Sequence, residues 1–77
     1  MARPSGIDPA LGKALRVLRD ESGLTQEDLA HNAGLTVAAL ARIERSQANP
    51  TWSSVRAIAS GLDISLVDLA RAVLQAE

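Results

Sequence analysis

The side chains able to do chemistry in this 77-residue chain are cations and hydrogen-bonding groups rather than nucleophiles or metal ligands. A single histidine, His31, and no cysteine leave neither a thiolate site nor a second imidazole for zinc. No Ser/His/Asp arrangement and no glycine-rich phosphate loop stands beside that histidine, so the composition predicts no enzyme, no metal and no cofactor. The cations fall unevenly. Arg42 and Arg45 close the stretch 26–45, and Lys13, Arg16 and Arg19 recur on the segment before it. Acidic residues gather at Asp20, Glu21, Glu27 and Asp28, then at Asp63, Asp68 and Glu77. Eight Lys and Arg against nine Asp and Glu give a net charge of −1, a total that hides the distribution. The pattern predicts one basic face on an acidic body, a surface that binds a polyanion by local fit rather than by bulk charge.

Five helices are needed to position these groups. In the stretch 26–45, Leu29, Ala30 and Ala33 share one face of a helix, and Leu40 and Ile43 share one face of the next. Between them Gly34 tolerates the left-handed backbone of a sharp reversal, with Leu35 in the turn, and small Ala30 and Ala33 allow a close crossing. Thr25 and Thr36 precede the two helices, where a hydroxyl accepts from an orphan N–H, and Asp28 completes a capping box with Thr25. Upstream, Asp8 before Pro9 marks a helix start, Leu11, Ala14, Leu15 and Leu18 make its apolar stripe, and Gly23 stops it. Downstream, residues 46–50 read as a polar loop closed by Pro50, and Thr51 caps a fourth helix carrying Val55, Ile58, Ala59 and Leu62. Asp63 takes the left-handed turn after it. Ser65, with Asp68 three residues on, opens a fifth helix bearing Leu66, Leu69, Ala70, Val73 and Leu74. No alternating pattern competes, and the fold class is all-α.

Size and hydropathy bound the rest. Residues 1–7 read as a flexible N-terminal arm and residues 8–77 as a single domain, small enough that a partner subunit would help stabilise it. No apolar run approaches the roughly 18 to 20 residues that span a bilayer, and the first residues lack a signal-peptide core, so a cytoplasmic location without membrane contact is expected.

These segments resemble the lambda-repressor-like family of bacterial and phage regulators, also called Cro/C1 or XRE, over residues 11–69. The matching residues are Gly23-Leu24-Thr25-Gln26-Glu27-Asp28-Leu29-Ala30, Ala33-Gly34-Leu35-Thr36, Arg42-Ile43-Glu44-Arg45, Asn49-Pro50-Thr51 and Ile64-Ser65, in the family's order and spacing. The short chain with a fifth helix is also similar to the controller proteins of restriction–modification systems, which are dimers of such a domain. The resemblance implies a helix-turn-helix at helices two and three, with helix three entering the DNA major groove. It implies phosphate contacts from Gln26 and Thr36, base-facing positions at Val37, Ala38 and Arg42, and a backbone contact from Arg45. It further implies that Arg19 and Glu44 form an ion pair tying helix three to helix one. Val37 and Ala38 stand where relatives often carry longer polar side chains, and Ser46 where glycine is usual.

On this face a guanidinium fork at Arg42 suits guanine O6 and N7, and small apolar Val37 and Ala38 suit thymine methyls. Gln47 and Asn49, polar residues of the following loop, lie close enough in sequence to approach DNA. Trp52, the one aromatic residue, is expected in the core or as a staple, and His31 on the outer face of helix two. In the stripe of Leu66, Leu69, Val73 and Leu74 the first two can finish the monomer core, while Val73 and Leu74 have little left to cover. This predicts a homodimer through helix five, with all four residues assigned to it. The expected function is a transcription regulator that binds double-stranded DNA as a homodimer on a pseudo-palindromic operator, with no small-molecule effector. The alternative is an antitoxin or adaptor whose main role is protein–protein interaction; it would call for a separate toxin-neutralising tail, and none is expected beyond Glu77.

Overall fold

The computed structural model describes residues 6–77, in which five helices and no strand form. The arm expected over residues 1–7 therefore lies, for residues 1–5, outside the described residues. The helices are α1 (Pro9–Glu21), α2 (Gln26–Ala33), α3 (Val37–Glu44), α4 (Trp52–Gly61) and α5 (Leu66–Ala76).

Each helix begins where a short oxygen-bearing side chain replaces the missing intrahelical partner. The Asp8 carboxylate accepts from the Ala10 amide at 2.9 Å, with Pro9 in the first turn where its absent N–H costs nothing. Thr25 accepts from Asp28 N at 3.0 Å while the Asp28 carboxylate accepts from Thr25 N at 3.0 Å, closing the capping box. Those hydrogen bonds, the backbone one foremost, hold the Asp28 carboxyl below its ordinary value. Thr36, Thr51 and Ser65 accept from Ala39, Ser54 and Asp68 amides at 3.1, 3.1 and 3.0 Å. The reversals fall at left-handed residues: Gly23, Gly34, Ser46 and Asp63 have φ of 72°, 69°, 59° and 58°. The serine at 46 thus adopts the conformation for which a glycine would be the unstrained choice.

One core collects a large side chain from every helix. Leu15, Leu29, Leu40 and Ile58 are the fully buried ones, from α1, α2, α3 and α4, and Leu69 joins them from α5. Helix α5 lies along α1 and α2 along α4, with α3 held against α1 and α2. Two close approaches set these crossings. A methyl on Gly12 would stand 2.5 Å from the Ile43 carbonyl oxygen and 3.0 Å from that of Glu44, so α1 and α3 meet backbone to backbone. At Gly61 a methyl would come within 3.1 Å of Leu29 Cδ1 and 3.3 Å of Ala33 N, where α2 crosses α4. The small residue Ala33 therefore serves the α2–α4 crossing as well as the turn into α3. Asn32 adds a tie, its Nδ2 donating to the Gly61 carbonyl at 3.2 Å.

Three expectations are corrected by the packing. Trp52 is not in the core: it is 64% exposed at the first turn of α4, on the border of an open apolar groove to which Leu69 contributes from the core. Leu69, expected to serve dimerisation, is only 3% exposed and belongs to the protomer's core. Lys13 does not share the face of Arg16 and Arg19; it lines the groove between α1 and α5, with Val17, Asp68 and Arg71.

Candidate nucleic-acid interface

Burial divides α3 cleanly. Leu40, Ala41, Ile43 and Glu44 face inward, while Val37, Ala38 and Arg42 are exposed on the opposite side. The outward residues at positions 38 and 42 are one turn apart and so stand one above the other on that face. Thr36 is exposed at the N-cap, Arg45 is exposed at the C-cap, and the Gln47 amide returns to the Arg42 carbonyl at 2.8 Å, which closes the end of the helix.

The orientation of α3 is held by a charge pair. Arg19 Nε donates to Glu44 Oε2 at 2.8 Å and its Nη2 to Oε1 at 3.1 Å, a two-pronged contact. The Arg19 and Glu44 side chains are 12% and 2% exposed. A third guanidinium donor, Nη1, reaches the Leu24 carbonyl at 3.0 Å and lies 3.4 Å from the Asp20 carboxylate. One side chain of α1 thus anchors both α3 and the α1–α2 turn. The hydrogen bond to Glu44 outweighs partial burial and, with the Glu44 and Asp20 charges, raises the Arg19 pKa above its ordinary value. Gln26 completes the set, its Nε2 donating to Glu44 Oε1 at 3.2 Å, so the first side chain of α2 is braced against the last residue of α3. Among the described residues no buried side-chain nitrogen or oxygen is left without a partner.

Gln26 and Arg45 line one cup between α1, α2 and the end of α3, and Arg16, Arg19 and Glu44 complete it. Asn49 has a structural task, since its Oδ1 accepts from the Asp8 amide at 3.3 Å and ties the loop to the start of α1. Gln47 is exposed, and so is His31 on the outer face of α2. Spacing did not single out Gly12, Gly61 or Asn32, because each acts across a helix crossing. Among the described residues no group of acidic, histidine or cysteine side chains could hold a metal ion. None of the described helices is long and apolar enough to cross a membrane.

A second surface is apolar. Trp52, Leu66, Val73 and Leu74, with Leu11 and Val55, border a groove between α1, α4 and α5, floored by Leu69. Leu74 is 66% exposed at its edge.

A capped helix pair turning at a left-handed glycine, its second helix braced from behind and bare in front, defines a helix-turn-helix protein. The chain belongs to the helix-turn-helix domain family, whose model matches residues 10–72, and it has the lambda-repressor-like fold. It is 39% identical over 56 residues to the immunity repressor protein of Bacillus phage phi105, covering 73% of this chain and 39% of that protein. To the HTH-type transcriptional regulator DdrOP3 of Deinococcus deserti it is 36% identical over 63 residues, covering 82% and 49%. The chain thus spans about two fifths to half the length of these relatives. Among solved structures it is similar to the restriction–modification controller protein C.Esp1396I, with a TM-score of 0.84 at 31% identity over 88% of this chain and 90% of that one. To the controller protein C.AhdI from Aeromonas hydrophila the TM-score is 0.77 at 36% identity, over 79% and 92%.

Proposed function

We propose that this protein is a transcriptional regulator that binds double-stranded DNA as a homodimer on a pseudo-palindromic operator. The observation that carries the reading is the exposed face of α3, where Val37, Ala38 and Arg42 project from a helix locked by Arg19 and Glu44. Arg42 supplies the one strong base-edge donor, suited to guanine, and Val37 and Ala38 suit thymine methyls. Gln26, Thr36 and Arg45 hold the phosphate backbone, with Gln47 in the adjoining loop. Asn49 contributes less than its sequence position implies, because Asp8 already engages its carbonyl oxygen. So few base-reading groups leave most of the affinity to phosphates and DNA shape. Regulation follows from occupancy in the cytoplasm, by blocking or assisting polymerase, with no effector or cofactor.

Two subunits pair through the apolar groove of α4 and α5, where Leu66, Val73 and Leu74 lie beside Trp52. Selection from random duplex DNA followed by footprinting tests the whole reading. The expected site is two-fold, with half-sites about 10 bp or 34 Å apart. Arg42→Ala should relax preference at one position in each half-site while the others persist. A single asymmetric half-site bound at full affinity by one subunit, or no preference over random duplex, would overturn it.

A further inference from the structure

The cup that holds Gln26 and Arg45 also contains a cation that neither the helix pair nor the ion pair uses. Three guanidinium groups, of Arg16, Arg19 and Arg45, face one carboxylate, that of Glu44. Glu44 is already satisfied: Oε2 accepts from Arg19 Nε, and Oε1 accepts from Arg19 Nη2 and Gln26 Nε2. Asp20, the nearest other acid to this ion pair, is engaged by Arg19 Nη1. Arg16 and Arg45 are both exposed, and among the described residues neither lies within 4.0 Å of a carboxylate. Two like charges at one opening repel each other unless an anion lies between them. Arg16 stands one turn before Arg19 on the same side of α1, so the helix that braces α3 also aims a guanidinium at the cup's rim.

We propose that Arg16 and Arg45 together form a clamp for one phosphodiester group of the DNA backbone, with the neutralised Arg19–Glu44 pair as its floor. The proposal rests on the DNA-binding reading and extends it to α1, outside the helix-turn-helix. A planar guanidinium presents paired donors matched to two phosphate oxygens, and two such groups from different helices approach the anion from two sides. Gln26 lines the same cup, with its carboxamide nitrogen donating to Glu44 Oε1 at 3.2 Å. The clamp reads no bases; it fixes how deeply α3 is seated in the groove.

Equilibrium binding to the selected operator, measured from low to high potassium chloride, tests it with the unaltered protein and with Arg16→Ala, Arg16→Lys and Arg71→Ala. Arg71 is an exposed cation on α5, outside the cup. Each lost phosphate contact flattens the plot of log affinity against log salt by about 0.9, so Arg16→Ala should reduce the slope by nearly two in a dimer. Base preference and melting temperature should be unchanged, Arg16→Lys should keep most of the slope, and Arg71→Ala should keep all of it. A wild-type slope for Arg16→Ala, or an equal loss for Arg71→Ala, overturns the clamp while leaving DNA binding intact. Failure of the unaltered protein to bind duplex DNA overturns the reading on which it rests. Calorimetry with inorganic phosphate alone should show no saturable binding; saturation by phosphate alone would replace the DNA backbone by a free anion as the occupant.

Discussion

Arg19 and Arg42 have the same chemistry and opposite tasks, and the difference lies in what each one faces. Arg19 is nearly buried and spends three nitrogens on Glu44 and the Leu24 carbonyl, whereas Arg42 is exposed on the bare side of α3. Removing one partner of a buried pair leaves the other charge without compensation, which typically costs more than the pair itself contributes. Arg19→Ala should therefore lower stability by about 3 kcal/mol in urea unfolding, since Gln26 alone cannot neutralise Glu44. Arg42→Ala should stay within about 0.5 kcal/mol of the unaltered protein, as surface substitutions do. Equal losses for the two would mean that their tasks had been exchanged. Because Glu44 is the last residue of α3 and would keep only its Gln26 contact, Arg19→Ala should weaken operator binding as well, through a loosened α3 rather than a lost contact.

At the scale of elements, the caps decide where helices begin and two glycines decide how they cross. The substitutions Gly12→Ala and Gly61→Ala weigh propensity against packing: alanine favours a helix interior over glycine by about 1 kcal/mol, a gain open to Gly12 within α1 but smaller for Gly61, the last residue of α4. At Gly12 the new methyl meets two backbone oxygens of α3, at 2.5 and 3.0 Å, which can yield only if the helices part. Overpacking of that kind costs about 3 kcal/mol, so the net expectation is a loss near 2 kcal/mol. At Gly61 the nearest atoms stand at 3.1 to 3.3 Å and the closest is a leucine methyl that can shift, so the loss should stay well below that at Gly12. Chemical denaturation of the two variants checks the contrast. A Gly12→Ala midpoint at or above that of the unaltered protein would show that α1 and α3 can separate without cost.

At the scale of the molecule, the groove bordered by Trp52, Leu66, Val73 and Leu74 is an apolar feature left outside the core, and a partner subunit would cover it. Leu74→Glu should shift sedimentation toward monomer without lowering the protomer's helix content, because the side chain is exposed. Leu69→Glu should instead unfold the protomer, since it places a charge in the core. Trp52 supplies an independent readout. As the only tryptophan, its emission should move to shorter wavelength as concentration drives assembly, and Leu74→Glu should abolish that shift. Emission independent of concentration, in a protein that sediments as a dimer, would place the interface elsewhere.

The helix starts and stops were legible in the sequence because they depend on neighbours within one turn. Thr25, Thr36, Thr51 and Ser65 cap as their spacing predicts, and Asp63 takes the left-handed turn. The pairing of Arg19 with Glu44 was implied by resemblance to the family rather than by any local pattern. What sequence could not reach was which apolar residue fills the core first. Period leaves Leu69 and Leu74 on flanks of one broad apolar stripe and lets either finish the core or face a partner; the packing of α5 against α1 buries Leu69 and leaves Leu74 in solvent. Trp52 was expected in the core or as a staple because it falls where the family it resembles has an apolar packing residue, yet its position at the first turn of α4 leaves it on the rim. Likewise Lys13 and Arg16 are near neighbours in sequence, and the rotation of α1 sends one to the α5 groove and the other to the cup beside Arg45. Local hydrogen bonds and hydrophobic period therefore determine the five helices and their order. Their mutual rotation, set by close packing at Gly12 and Gly61, decides which side chains become core and which stay exposed, because burial depends on every helix at once.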